Sequence, residues 1–257
     1  MMRKDFLKGG IGIIFHNPSL IFNLFTLDFD KIYCSYWNLK LKKCKRMYEK
    51  WNERNRNIIE QIKTINKEIL NEKYSKQEAF FIPIYFMIRL RKPDVVIETG
   101  VHRGVSSLFI LQALEDNNKG ILYSIDLPFA SYEVTEGITT KSNLPTENVG
   151  ICVPQKLRKR WKLIIGDSKN ELPILLANHE SIDFFLHDSQ HTFEHMMWEF
   201  NTIWPKLAKS GLLVSDDTNW NNAFTSFSSK VRCENIQLYR DKNGQSLFGV
   251  ILKKLDL

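Results

Sequence analysis

Cysteine is scarce and scattered: four residues, Cys34, Cys44, Cys152 and Cys233, lie in 257 positions with no C-x-x-C pair and no zinc-like spacing. That excludes a disulfide scaffold and a zinc module, and it fits reduced thiols in a cytoplasmic protein. Long apolar runs are also missing. The stretch from Gly9 to Phe25 is part-apolar, but His16, Asn17, Pro18 and Asn23 interrupt it. It is too short and too polar to cross a bilayer, and it lacks the continuous apolar core of a secretory signal. Acid is in deficit, since 36 Lys and Arg face 29 Asp and Glu for a net charge of +7. The surplus of base concentrates in the first 92 positions. Such charge attracts nucleic acid or anionic membrane without establishing either. No internal repeat and no low-complexity segment is present.

An apolar fraction of 43% supports a sizeable core in one large domain, or in one domain with an appendage. Residues 39–73 read as a long charged helix. Leu41, Cys44, Tyr48, Trp51, Ile58, Ile62, Ile65 and Ile69 make a near-heptad seam with Asn55 on it. The seam suits either packing within the chain or a homo-oligomer through this helix. The basic, part-apolar N-terminus is compatible with peripheral contact at a membrane surface.

From residue 76 the pattern changes to alternating helix and strand. Helices are expected over 77–91, 106–116, 171–177, 193–207 and 224–231. Strands are expected over 95–98, 121–125, 161–165, 182–186 and 212–215, then 236–239 and 246–253, with Asp241-Lys242-Asn243-Gly244 as a hairpin turn. This order predicts a mostly parallel sheet with an antiparallel edge.

The first strand carries the most information. Pro93 to Ser107 reads PDVVIETGVHRGVSS: a β-branched run, an acid at Glu98, then Gly100 and Gly104 before a helix. Ligands of open α/β sheets bind at the carboxyl ends of strands, and glycines there allow positive φ and close approach. The dinucleotide fingerprint needs a third glycine, which is missing, so a hydride-transfer enzyme is excluded. Every parallel strand ends on or near an acid: Glu98, Asp126, Asp167, Asp188, and the pair Asp216 and Asp217. Helix capping accounts for one or two of these, not for six.

The ordered set Glu98-x-Gly100-x-x-x-Gly104, Asp126, Gly166-Asp167-Ser168, His187-Asp188-Ser189-Gln190-His191 and Ser215-Asp216-Asp217 resembles class I S-adenosylmethionine-dependent methyltransferases. It is most similar to the branch of macrocin-type sugar O-methyltransferases. Val153-Pro154-x-x-Leu157-Arg158-x-Arg160-Trp161 and the stretch from Phe184 to Met197 strengthen the likeness, which covers about residues 77–253. The resemblance implies a Rossmann-like methyltransferase fold over 76–257, with a seven-stranded, mostly parallel sheet and an antiparallel C-terminal hairpin. Residues 1–75 would be a helical extension.

The resemblance also implies roles. Glu98, Gly100, Val101, Gly104 and Ser106 would hold the amino-acid end of S-adenosylmethionine, whose sulfonium and ammonium suit a carboxylate. Asp126 would accept the ribose hydroxyls. Asp167 and Ser168 would lie by the adenine, with a helix N-cap as the alternative for Asp167. Asp188 would border the cofactor and, with Asp216 and Asp217, hold Mg²⁺. Capping of the next helix by Asp217, without metal, is the alternative. His191, three residues past Asp188, would be the general base for a substrate hydroxyl. His187 and His195 would be structural or supporting, and His102 and Arg103 would face solvent or the cofactor mouth. The long connection 127–153, with Tyr132, reads as a lid. Trp220, Asn221 and Asn222 would line the acceptor pocket.

The expected activity is therefore O-methylation of a saccharide or other small molecule in the cytoplasm, with a small-molecule or glycan acceptor and no nucleic acid. Two alternatives stand beside it. One is a methyltransferase of RNA or another macromolecule, prompted by the basic charge. Base N-methylation on this fold usually carries an Asn/Asp-Pro-Pro-aromatic string after the fourth strand, where this chain has His-Asp-Ser-Gln. The other is a catalytically silent S-adenosylmethionine-binding assembly subunit, which the intact acids and His191 oppose.

Overall fold

The computed structural model describes residues 78–128, 131–135, 138–141, 144–233, 235–239 and 247–253. The expected N-terminal helix, its seam and the hairpin turn at 241–244 lie outside them. The compact unit Glu78–Leu257 contains everything described below.

Helix α1 (Glu78–Arg91) leads to strand β1 (Val95–Thr99), helix α2 (Val105–Asn117) and strand β2 (Ile121–Asp126). A hairpin of β3 (Ser131–Thr135) and β4 (Ile138–Lys141) follows. Two 3-10 turns then lead to β5 (Trp161–Ile165) and α3 (Ser168–Ala177). The chain continues through β6 (Ile182–His187), α4 (Phe193–Ile203), β7 (Leu207–Ser215), α5 (Ala223–Lys230), β8 (Asn235–Tyr239) and β9 (Leu247–Leu252). The main sheet runs in the order β5-β2-β1-β6-β7-β9-β8. Its first five strands are parallel, while β9 pairs antiparallel with both β7 and β8. The chain winds outward from β1 toward β5 on one side, and from β6 toward β8 on the other. The strand order reverses between β1 and β6, and ligands of open α/β sheets bind at the carboxyl ends of such strands.

The strands are apolar on both sides because helices cover both faces. On one face, Ile97, Phe185 and Leu213 pack with Met196, Phe200 and Ile203 of α4 and with Phe224 and Phe227 of α5. Phe200 is fully buried, so Phe200→Ala would cost about 3–5 kcal/mol. On the other face α1 packs on α2, tied by Tyr85 Oη donating to Asp116 Oδ2 at 2.7 Å and Asn117 Nδ2 donating to the Ile88 carbonyl at 2.9 Å. Burial beside Asp116 pushes the Tyr85 phenol above its usual pKa.

Three boundaries differ from the sequence expectation by three residues or more, for identifiable reasons. Helix α4 ends at Ile203 rather than 207 because Pro205 has no N–H to continue the ladder. Strand β7 begins at Leu207 rather than 212. Its pairing with β6 shifts register between Ile182 and Phe184, and Ser210 adopts φ 64°, so the usual alternation is broken there. Helix α3 starts at Ser168, before the expected 171, because Asp167 caps it.

Candidate active site

The glycine turn after β1 is held from beneath. Glu98 is fully buried and accepts hydrogen bonds from Ser106 Oγ (2.5 Å), Ser107 Oγ (2.6 Å) and Ser124 Oγ (2.7 Å). Ser124 lies beside Glu98 in the β1–β2 register and in turn accepts from Trp161 Nε1 at 2.9 Å. Burial pushes the Glu98 carboxyl up to about 7, against the lowering effect of the three hydroxyl bonds. The carboxylate expected to meet a cationic ligand is therefore an internal tie between β1, β2 and the start of α2. Ser106, also expected at the cofactor, is spent on the same tie.

Gly100 and Gly104 have φ 83° and 80°, the left-handed region open to glycine. Their close neighbours are protein backbone. A Cβ on Gly100 would stand 1.9 Å from the Asp188 carbonyl oxygen, and one on Gly104 would stand 2.8 Å from the Gly150 Cα. The first contact joins the ends of β1 and β6, reinforced by Asp188 N–H donating to the Thr99 carbonyl at 2.8 Å. The second seats the turn on the connection 127–153. That connection is only partly the loop expected: it holds the β3–β4 hairpin with Tyr132 opposite Thr140, and buried Leu144, Val149, Cys152 and Val153. Arg158 braces it by donating to the Gly150 and Val153 carbonyls at 2.9 and 3.1 Å while lying over the Trp161 ring. Burial pushes the Cys152 thiol up to about 11.

Asp126, at the end of β2, reaches over the turn. Its Oδ2 accepts from the backbone N–H groups of Val101 (2.6 Å) and His102 (2.8 Å). The turn is thus preformed, and one carboxylate oxygen remains for a ligand hydroxyl. Asp167 accepts from Lys169 N–H at 2.9 Å as the N-cap of α3, and Ser168 Oγ lies 3.2 Å from His195 Nε2.

Past β6 and β7 the chain brings together His191, Asp188 and Asp217. His191 Nε2 stands 3.7 Å from Asp188 Oδ1 and 3.8 Å from Asp217 Oδ2, and the ring is nearly buried. Asp217 sits in the left-handed region at φ 47°, a conformation that recurs at functional turns. The Asp217 N–H donates to Asp216 Oδ1 at 2.7 Å, and the Asp216 N–H donates to the His187 carbonyl at 2.9 Å. The half-exposed Trp220 ring lies 5.1 Å from the His191 ring. Asn221 Nδ2 donates to the His191 carbonyl at 2.9 Å, and its Oδ1 accepts from Ala223 N–H at 2.8 Å, so it ties the His191 backbone to the start of α5. Two carboxylates beside one imidazole nitrogen can orient the ring and stabilise it as it takes a proton.

The model described as a methyltransferase domain matches residues 97–218, from β1 to just past Asp217. The match spans just under half of the chain. No curated protein sequence matches the chain. Among solved structures, the O-methyltransferase TomG from Streptomyces achromogenes, involved in tomaymycin synthesis and in complex with SAM, is similar at 14% identity and TM-score 0.55. That alignment covers 77% of this chain and 90% of TomG. An O-methyltransferase from Bacillus cereus in complex with SAH is similar at 11% identity and TM-score 0.51, covering 77% and 90%. The SAH-bound Podospora anserina methyltransferase PaMTH1 is similar at 16% identity and TM-score 0.51, covering 77% and 88%. At these identities the shared property is the fold.

Of the three acids expected to hold Mg²⁺, Asp188 and Asp217 flank His191, whereas Asp216 accepts the next backbone N–H with one oxygen. Among the described residues, no three His, Cys, Asp or Glu side chains are grouped to hold a metal. Among the same residues, no helix is long and apolar enough to cross a membrane.

The domain also contains a buried polar cluster that sequence reasoning passed over. Glu199, fully buried on α4, accepts from Thr99 Oγ1 (2.6 Å), His187 Nδ1 (2.7 Å), Ser189 Oγ (2.9 Å) and His195 Nε2 (2.9 Å). Burial alone would raise this carboxyl, but the bonds from His187 and His195 overcome it and hold it well below its usual value. Burial lowers His187, so its ring donates as neutral imidazole. The sequence signal was present in the helical spacing His195-x-x-x-Glu199, which sets two polar groups on the face otherwise formed by Met196, Phe200 and Ile203.

Proposed function

We propose that this protein transfers the methyl group of S-adenosylmethionine to a hydroxyl oxygen of a saccharide or other small acceptor, with His191 as general base. The observation that carries this is the placement of His191 between Asp188 and Asp217, at the switch point where Gly100 abuts the Asp188 backbone. The residues fit the cofactor in one specific respect. Asp126 closes the glycine turn with Oδ2 and keeps Oδ1 for the ribose diol. Glu98 is fully buried and accepts from three serines, so its part is to hold the turn from beneath rather than to meet the ammonium directly.

When bound, S-adenosylmethionine supplies an electrophilic methyl carbon on a sulfonium. The chain's contribution is positional and protic. The glycine turn and Asp126 fix the donor's side of the crevice, and Trp220 borders the acceptor's side. His191 Nε2 takes the hydroxyl proton as the new O–CH₃ bond forms and the S–CH₃ bond breaks, leaving neutral S-adenosylhomocysteine and an imidazolium. Asp188 and Asp217 offset that new positive charge. The likeness of the fold to the O-methyltransferases from Streptomyces achromogenes and Bacillus cereus supports oxygen as the accepting atom.

The test is an acceptor screen that follows S-adenosylhomocysteine formation over sugars, sugar nucleotides and small phenols. With a working acceptor, His191→Ala should lower kcat by roughly 10²–10⁴-fold while leaving S-adenosylmethionine binding intact. Undiminished kcat in that variant would remove His191 as the base.

A further inference from the structure

We infer that Glu199 is a positioning residue for His191, acting through His187. This rests on the methyl-transfer reading only for its kinetic consequence. Its structural content stands alone. An ionised carboxylate accepts and cannot donate, so each of its four partners must present a proton to it. His187 is thereby fixed as the Nδ1–H tautomer, with its ring orientation set by the 2.7 Å bond to Glu199 Oε2. The other face of that arrangement meets His191. The two rings are perpendicular, with centroids 5.2 Å apart. His187 is therefore the wall against which the base is seated.

The same carboxylate joins three pieces of chain. Thr99 lies at the end of β1, one residue before Gly100. His187 and Ser189 flank Asp188 after β6. Glu199 itself sits on α4, whose N-cap Thr192 directly follows His191. The segment from Asp188 to His191 is thus tied to Glu199 at its start through His187 and Ser189, and its end runs into the helix that carries Glu199. A misplacement of about 1 Å at a reacting group costs roughly 10²-fold in rate, so a tie of this kind acts on catalysis without touching substrate.

The experiment uses the full chain with isotope-labelled histidine, whose six residues give separable ring signals in long-range ¹H–¹⁵N spectra. Wild type is expected to show His187 as the Nδ1–H tautomer. In Glu199→Gln that signature should be lost and the His191 ring resonances should move. Unchanged His187 and His191 signals in the folded variant would overturn the inference. His187→Asn supplies a second arm if Glu199→Gln does not fold. Asparagine can still donate to Glu199 from the Nδ1 position, but it removes the wall. Its kcat on an acceptor found in the screen should fall by roughly 10²-fold with KM for S-adenosylmethionine nearly unchanged. A kcat within twofold of wild type would refute the positioning role. If wild type binds S-adenosylmethionine yet transfers no methyl group, the functional proposal fails, and the histidine spectra still decide the role of Glu199.

Discussion

Glu98→Gln separates the internal role of this carboxylate from a role in ligand binding, through the pH dependence of stability. In the folded chain the Glu98 carboxyl is pushed up to about 7 from an ordinary 4.5. At about 1.4 kcal/mol per pH unit, that difference corresponds to roughly 3 kcal/mol. The sign follows from proton counting. Between pH 4.5 and 7 the native state holds a proton on Glu98 that the unfolded state has released, so native stability falls as pH rises through this window. Below 4.5 both states are protonated, and above 7 neither is, so the contribution levels off at each end. Glutamine keeps the shape and removes the titration. Urea unfolding of both proteins at intervals from about pH 5 to 8 isolates the effect, because other titrating groups cancel in the difference. The variant should gain about 2–3 kcal/mol relative to wild type across that range. Parallel stability curves would show that Glu98 does not titrate in a buried site, and the account of the glycine turn as tied from beneath would fail.

Two further perturbations address the same region and its neighbour. Gly100→Ala combines a left-handed φ with a Cβ 1.9 Å from the Asp188 carbonyl oxygen. It should cost more than about 2 kcal/mol in urea unfolding, whereas a loss below about 1 kcal/mol would mean that the β1 and β6 ends are not in contact. If Asp188 and Asp217 serve His191 as proposed, methyl transfer should persist in EDTA. Loss of turnover that Mg²⁺ restores would show instead that these acids leave the imidazole for a cation.

Most of the sheet was legible because its strands are short β-branched or apolar runs punctuated by acids and glycines. Trp161–Ile165 was read residue for residue, and the order of the elements followed from their alternation. Boundaries failed where a single residue overrode the pattern, as Pro205 did for α4 and Asp167 for α3. At the site, the motif spacing located the right strand ends, but it could not say which way a carboxylate faced. Glu98 and Asp126 differ in this respect only through three-dimensional neighbours: three serines around one, two backbone N–H groups around the other. Glu199 stayed hidden because three of its four partners come from β1, β6 and the loop after β6, up to 100 residues away along the chain.

The central claim is a preformed S-adenosylmethionine site beside a histidine base, and Asp126 is its most direct handle. Isothermal titration of the full chain with S-adenosylmethionine should show one-to-one binding, weakened by roughly 10- to 100-fold in Asp126→Ala at about 1–3 kcal/mol for lost hydrogen bonds to a charged group. Absence of binding by the folded wild-type protein, or equal affinity in the variant, would contradict the account.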